Sequence, residues 1–166
     1  MIIKELRDED FVNYKKPSMF IAFPSCTFKC ERECGRNICQ NSALVHAPNI
    51  DTSTYDIVNR YLTNPITKAI VIGGLEPFDS WENLKKLVIR FREQTNDDIV
   101  IYTGYTYEEL NYSEPYDLIF SKIQWFWDFP NIIIKFGRFV PDQQPHYDEV
   151  LGVKLASDNQ YARRIS

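Results

Sequence analysis

The sequence lacks the usual marks of a membrane-spanning, nucleic-acid-binding or secreted protein. No apolar run approaches the roughly 18 residues that a membrane span needs. The formal net charge is -4, which argues against general electrostatic capture of nucleic acid or of an anionic membrane. The first ten residues carry charges where a signal peptide needs an apolar stretch. We therefore expect a cytoplasmic protein, whose thiols are kept reduced.

Internal repeats, low-complexity tracts and linkers are also missing from the sequence. The chain has 166 residues, of which 44 % are apolar and 14 % aromatic, a composition typical of a globular protein rather than of a disordered one. Its length is enough to bury a real core in one unit. We expect a single domain over residues 1–166.

Short apolar runs rich in Ile, Val, Phe and Tyr predict the strands of the protein. These runs are nearly continuous in apolar character, which is typical of strands buried on both faces, as in a parallel sheet. The predicted strands are Met19–Phe23, Ala69–Ile72, Asp98–Tyr102, Asp117–Phe120 and Asn131–Phe136. A full eight-stranded barrel usually takes ~250 residues, so this chain is long enough to close only part of one.

Helical patterns lie between several of the predicted strands. Ser53–Leu62 has apolar residues at helical spacing, and Ser80 is placed to cap a helix that runs to about Arg92. Thr106 and Glu109 form a T-x-x-E capping box for a third, short helix. The inward residues of the first helix are expected to be Ile57, Val58, Tyr61 and Leu62. This alternation predicts an α/β fold built from right-handed βαβ crossovers.

Three segments with unusual chemistry follow directly after predicted strands. A cysteine-rich segment follows Phe23, the segment Gly73–Pro77 follows Ile72, and Tyr102–Tyr105 follows Ile101. Parallel α/β folds build their sites at the carboxyl ends of the strands. We therefore expect these three segments to form one site.

All four cysteines of the chain, Cys26, Cys30, Cys34 and Cys39, lie within the polar segment Ser25–Asn41. In a reducing compartment, clustered thiols more often bind metal or do chemistry than form disulfides. No C-x-x-C redox pair is present. The spacing leaves two interpretations open, four thiolates around a structural zinc ion or an iron–sulfur cluster. If only three thiolates bind a four-iron cluster, one iron keeps an open position.

Four stretches, taken together, resemble one family in the expected order along most of the chain. They are C-T-F-K-C with the later C-Q-N, I-V-I-G-G-L-E-P, I-V-I-Y-T-G-Y-T-Y-E-E-L, and F-G-R-F-V with the later S-D-N-Q. On these motifs the sequence resembles the radical S-adenosylmethionine enzymes, and among them the activating proteins of anaerobic ribonucleoside-triphosphate reductase. The resemblance implies a partial (βα) barrel with a mostly parallel sheet, of the radical S-adenosylmethionine type.

The cysteine spacing departs from the common family pattern, C-x3-C-x2-C. The first gap matches, but the second is x3 if Cys34 is the third ligand and x8 if Cys39 is. We favour Cys39, since it alone is followed by Gln-Asn as in the family, and a longer loop adds little closure entropy. The extra Leu75 is a second departure, because it interrupts the family's Gly-Gly-Glu.

By resemblance, Cys26, Cys30 and Cys39 hold three irons of a [4Fe–4S] cluster, and the fourth iron binds the amino and carboxylate groups of S-adenosylmethionine. Reductive cleavage then yields a 5′-deoxyadenosyl radical, and the protein binds, orients and excludes water. No acid–base pair is expected among the side chains. The expected cofactor-binding residues are Gly73, Gly74, Glu76 and Thr103, although the two glycines also suit a tight turn and Glu76 a helix cap.

In this family the radical passes to a glycine of a separate, larger protein. The resemblance therefore implies two partners, the large glycyl-radical subunit of anaerobic ribonucleoside-triphosphate reductase and an electron donor such as flavodoxin. The aromatic segment Gln124–Pro130 is a candidate docking surface, with core packing as the alternative. Two other functions stay open, a radical S-adenosylmethionine enzyme acting on a small molecule and a zinc-stabilised binding module.

Overall fold

The computed structural model describes residues 1–111 and 121–166. The strands in these residues are β1 (Ile2–Ile3), β2 (Glu5–Asp10), β3 (Ser18–Phe23), β4 (Ile50–Asp51), β5 (Ala69–Gly74), β6 (Asp98–Tyr102), β7 (Ile132–Phe136), β8 (His146–Asp148), β9 (Val153–Leu155) and β10 (Tyr161–Arg164). The α-helices are α1 (Lys29–Cys34), α2 (Ser42–His46), α3 (Thr54–Thr63), α4 (Trp81–Arg92), α5 (Tyr107–Asn111) and α6 (Lys122–Trp125). Short 3₁₀ helices cover Pro77–Ser80 and Phe126–Asp128. In the described parts of the chain, no helix is both long and apolar enough to cross a bilayer.

The architecture is mixed α/β, with one six-stranded sheet in the order β10-β7-β6-β5-β3-β2. Strands β3, β5, β6 and β7 pair in parallel with their neighbours, whereas β2 and β10 join the two edges in antiparallel orientation. Over the described residues the sheet stays open at these edges. Four of the five predicted strands are confirmed as β3, β5, β6 and β7. The fifth, Asp117–Phe120, lies outside the described residues.

The four parallel strands are buried on both faces, which explains their continuous apolar sequences. One face packs against α3 and α4, where Ile70, Ile72 and Ile101 meet Leu87 and Phe91. The alternate residues of the same strands point to the other face, where a second cluster of buried side chains covers the sheet. Helices α3 and α4 do not cover this second face, on which Tyr14, Leu151 and Leu155 pack instead.

The predicted helix starts are largely confirmed. The Ser53 hydroxyl accepts a hydrogen bond from the Asp56 amide and caps α3. The capping box is present, since Thr106 N–H donates to Glu109 Oε2 at 2.8 Å and Glu109 N–H donates to Thr106 Oγ1 at 3.2 Å. Two details differ from the prediction. Leu62 points to solvent, and the Ser80 side chain makes no capping hydrogen bond, because a 3₁₀ turn leads directly into α4.

Candidate metal and cofactor site

A cavity of about 370 Å³ opens at the carboxyl ends of the parallel strands. Its floor comes from the sheet face that the helices leave free, through Phe20, Gly73, Tyr102 and Lys135. The three segments that follow β3, β5 and β6 all contribute to its walls, as the sequence predicted. The cavity is therefore the place where the cysteines and the glycine segment meet.

Three of the four cysteines, Cys26, Cys30 and Cys39, line this cavity. Cys34 is not among the lining residues and lies beside Arg36. All four are partly buried free thiols. Within residues 1–111 and 121–166, no group of three or more His, Cys, Asp or Glu side chains is gathered closely enough to hold a single metal ion. The three cysteines preferred as ligands thus share one cavity, whereas Cys34 does not line it.

The chain between Cys26 and Cys30 turns sharply at Phe28. This residue has a φ of 52°, in the left-handed region that a non-glycine residue adopts at a cost of about 1–2 kcal/mol. Its N–H donates a 3.2 Å hydrogen bond to the Cys26 sulfur. The turn leads into α1, which carries Cys30 and is capped at its carboxyl end by Gly35. The local backbone therefore folds both thiols toward the same cavity.

Burial raises the pKa of the Cys26 thiol to about 11. Burial also raises the pKa of the Cys30 thiol, and the charge of the neighbouring Cys39 raises it further. A thiol must lose its proton to bind a metal, so metal binding at these cysteines releases protons.

Glu76 connects the ends of β5 and β6 at the cavity wall. Its carboxylate is buried and accepts hydrogen bonds from Phe78 N–H at 3.1 Å, from the Thr103 hydroxyl at 2.8 Å and from Gly104 N–H at 2.9 Å. Burial raises the pKa of Glu76 to about 7, and these hydrogen bonds only partly oppose the shift. Glu76 and Thr103 both line the cavity. The hydrogen bond between them therefore joins two strand ends at the cavity wall.

The two predicted glycines are in different environments. A Cβ added at Gly73 would lie 3.3 Å from the ring of Phe20, on the cavity side of the sheet. At Gly74, which has a φ of 93°, a Cβ would lie 2.6 Å from the Cα of Ala22. Gly73 therefore lines the cavity with a backbone that Phe20 and Tyr102 approach closely, whereas Gly74 is required by the backbone packing of β3 against β5.

The buried cavity residue Lys135 was not identified from the sequence. It is buried on β7, where its ammonium donates a 2.7 Å hydrogen bond to the Gly137 carbonyl oxygen and lies 6.0 Å from the centre of the Tyr102 ring. Burial lowers the pKa of Lys135 to about 8, an effect that the charge of Glu76 partly opposes. The signal was present in the sequence, as a lone cation inside the apolar run I-I-I-K-F.

Comparison with known protein families supports an iron–sulfur protein. A family model described as a 4Fe-4S single cluster domain matches residues 18–152. The chain belongs to this family. No curated protein and no solved structure matches the chain.

The donor set fits what a 4Fe-4S single cluster domain must supply. Iron–sulfur clusters take cysteine thiolates, and three cysteines line one cavity inside the matched region. Residues 18–152 run from the start of β3 to the turn after β8, so they also include Glu76 and Lys135. Glu76 and Lys135 are therefore part of the cluster domain itself.

Proposed function

We propose that this 4Fe-4S domain is a radical S-adenosylmethionine enzyme that generates a glycyl radical on an anaerobic ribonucleoside-triphosphate reductase. The observation that carries the proposal is the content of one cavity, where three thiols share walls with a buried carboxylate and a buried ammonium. A cluster bound at the three cysteines would supply one electron for the cleavage of S-adenosylmethionine to methionine and a 5′-deoxyadenosyl radical, and this radical would take a hydrogen atom from the glycine of the partner. The protein binds and orients the reactants.

In this proposal Cys26, Cys30 and Cys39 would hold the cluster, and the amino and carboxylate groups of S-adenosylmethionine would bind at the position that no cysteine occupies. An open coordination position distinguishes a catalytic metal site from a structural one. The exclusion of Cys34 from the cavity supports a three-cysteine ligand set.

Lys135 and Glu76 suit the charged end of S-adenosylmethionine. The Lys135 ammonium donates a hydrogen bond to the Gly137 carbonyl oxygen, and Lys135 lines the cavity that Glu76 also lines. A carboxylate that binds near Lys135 would gain a charge-assisted hydrogen bond in a partly desolvated site. Glu76 carries the opposite charge when it is ionised, and we assign it to the ammonium group of the cofactor.

The sheet supports the proposed partial (βα) barrel. Helices α3 and α4 cover one face of the parallel strands, and the cavity lies on the other face at the strand ends. In a partial (βα) barrel, this arrangement would place the helices on the outer face of the sheet and the ligand on its inner face. Gly73 contributes by leaving the inner wall without a side chain, so that a ligand can approach the backbone closely.

The partner would cover the open side of this cavity. Within the aromatic segment Gln124–Pro130, Trp125 packs against Trp81 and Phe129, with ring centres 5.4 Å and 4.6 Å away. Trp127 is 57 % exposed. We therefore assign Trp127 to partner contact and Trp125 to the core. A reductase as partner and flavodoxin as electron donor would both place the reaction in the cytoplasm.

Product analysis tests the proposed chemistry. Protein reconstituted with iron and sulfide under anaerobic conditions, then reduced with dithionite, is incubated with S-adenosylmethionine. We expect 5′-deoxyadenosine and methionine to form, and the Cys30→Ala variant to form neither. A cluster-loaded, reduced protein that yields no 5′-deoxyadenosine, with or without the reductase, contradicts the proposal. Turnover that depends on a small metabolite instead of the reductase supports the small-molecule alternative.

A further inference from the structure

The segment that carries the cysteines has little apolar packing to hold it. Neither α1 nor α2 contains a buried residue, and α1 is only six residues long. Short helices of this kind are marginal on their own, since their stability usually comes from burying an apolar face. Something other than the hydrophobic core must therefore fix the direction of the cysteine side chains.

Asp79 holds the segment on one side. Its Oδ2 accepts a 2.8 Å hydrogen bond from Thr27 N–H, and Thr27 directly follows Cys26. Its Oδ1 accepts a 2.6 Å hydrogen bond from the Tyr105 hydroxyl. One carboxylate thus joins the start of the cysteine segment to the turn after β5 and to the loop after β6.

Glu109 holds the segment on the other side. Its Oε1 pairs with the ammonium of Lys29, which directly precedes Cys30, and accepts a 2.7 Å hydrogen bond from Arg138. Its Oε2 accepts the hydrogen bond from Thr106 N–H that closes the capping box of α5. Because the capping box fixes its position, Glu109 can fix Lys29 in turn.

We propose that Asp79 and Glu109 are positioning residues for the iron–sulfur cluster. They fasten the residue after Cys26 and the residue before Cys30, so that both thiols face the cavity before metal arrives. Outer-shell hydrogen bonds of this kind orient the ligands of metal sites and tune the metal. These roles require only the 4Fe-4S cluster of the family and not S-adenosylmethionine. They can therefore be tested independently of the proposed function.

The two carboxylates differ in their expected effect on the cluster's reduction potential. Glu109 is paired with two cations, whereas the hydrogen bonds of Asp79 come from an amide and a hydroxyl and leave its negative charge next to Cys26. A nearby negative charge disfavours the reduced, more negative state of a cluster. Removing the charge of Asp79 should therefore raise the reduction potential, and removing that of Glu109 should change it less.

Cluster release and redox titration test the proposal. The variants are Asp79→Asn, Glu109→Gln and, as a control that removes the same charge from an exposed position on α4, Glu82→Gln. Each is reconstituted anaerobically, and loss of cluster absorbance to an iron chelator is followed over time. We expect release to be about tenfold faster in Asp79→Asn and Glu109→Gln, the lower end of the usual outer-shell effect, and unchanged in Glu82→Gln.

The reduction potential distinguishes positioning from general stabilisation of the fold. We expect it to rise in Asp79→Asn and to stay at the wild-type value in Tyr105→Phe, which removes one hydrogen bond but keeps the charge. Release at the wild-type rate in both carboxylate variants overturns the proposal, even if their unfolding temperatures fall. If Asp79→Asn does not fold, the Glu109→Gln variant decides alone. Cluster release at the wild-type rate in Glu109→Gln would then overturn the proposal that both carboxylates position the cysteines.

Discussion

The Asn41 side-chain amide donates a 2.8 Å hydrogen bond to the carbonyl oxygen of Gly74. This contact joins the end of the cysteine segment to the end of β5. Asn41 lies two residues after Cys39, so the contact places Cys39 next to the glycine segment, while Cys34 lies at the end of α1. The link explains how Cys39, which eight intervening residues separate from Cys30, can still line the same cavity as Cys26 and Cys30.

This geometry predicts different outcomes for the four cysteines. Replacing Cys26, Cys30 or Cys39 by Ala should abolish a competent cluster, because each lines the cavity. Cys34→Ala should retain most of the iron and serves as the matched control. Iron and sulfide per chain after anaerobic reconstitution is the measurement. Retention in Cys39→Ala with full loss in Cys34→Ala would reverse the assignment of the third ligand.

The adjacent glycines should respond differently to the same small substitution. Gly74→Ala places a Cβ against the backbone of β3 at positive φ, and should lower the free energy of unfolding by about 2–5 kcal/mol. Gly73→Ala points its methyl group at the cavity and should keep the cluster while weakening S-adenosylmethionine binding by about 1–3 kcal/mol. Thermal unfolding and cofactor titration of the same preparations check both. Equal cofactor affinity in Gly73→Ala and wild type would remove Gly73 from the site.

Lys135 makes the proposed cofactor binding dependent on pH. Its pKa of about 8 means that the side chain is an ammonium below that pH and is neutral above it. Attraction for the carboxylate of S-adenosylmethionine should therefore be lost as the pH rises through about 8. Lys135→Met should weaken binding by about 2 kcal/mol at pH 7, the usual value of a hydrogen bond to a charged group.

Comparing the wild-type protein with Lys135→Met distinguishes the effect of the Lys135 charge from the titration of the cofactor itself. Both proteins bind the same ligand, so only the difference in their affinities reports on Lys135. That difference should shrink above pH 8, and isothermal titration from pH 6.5 to 9 measures it. A difference that stays constant across this range would mean that the Lys135 charge does not contact the cofactor.

Trp127 and Trp125 form a matched pair for the partner surface. Trp127→Ala should weaken binding to the reductase by ~2 kcal/mol without lowering the unfolding temperature, since the side chain is exposed. Trp125→Ala should lower the unfolding temperature, because its ring packs against Trp81, Phe126 and Phe129. Binding by surface plasmon resonance and unfolding by circular dichroism are the two readouts. Unchanged reductase binding in Trp127→Ala would exclude this residue from the interface.

The central sheet was predictable from the sequence because its four parallel strands are buried on both faces. The edge strands β2 and β10 were not, since E-L-R-D-E-D and Y-A-R-R carry charges toward solvent and show no apolar run. The hairpin β8–β9, with three residues per strand, is too short to give a pattern.

The candidate site was predictable only in part, for the same kind of reason. Strand ends located the cysteine and glycine segments, because a parallel sheet brings those ends together. The contributions of Lys135, Asp79 and Glu109 depend on register and on loop contacts between residues up to 80 positions apart, such as Lys29 with Glu109. The difference between Gly73 and Gly74 depends on which face of β5 each residue takes, which only the pairing with β3 decides.

Electron paramagnetic resonance of the reaction mixture tests the central claim most directly. Cluster-loaded, reduced protein is mixed with S-adenosylmethionine and the anaerobic ribonucleoside-triphosphate reductase from the same source. We predict a glycyl-radical doublet on the reductase that disappears when S-adenosylmethionine is omitted or when Cys30→Ala replaces the wild-type protein. A fully loaded and reduced cluster that leaves the reductase without a radical signal would contradict the activating function.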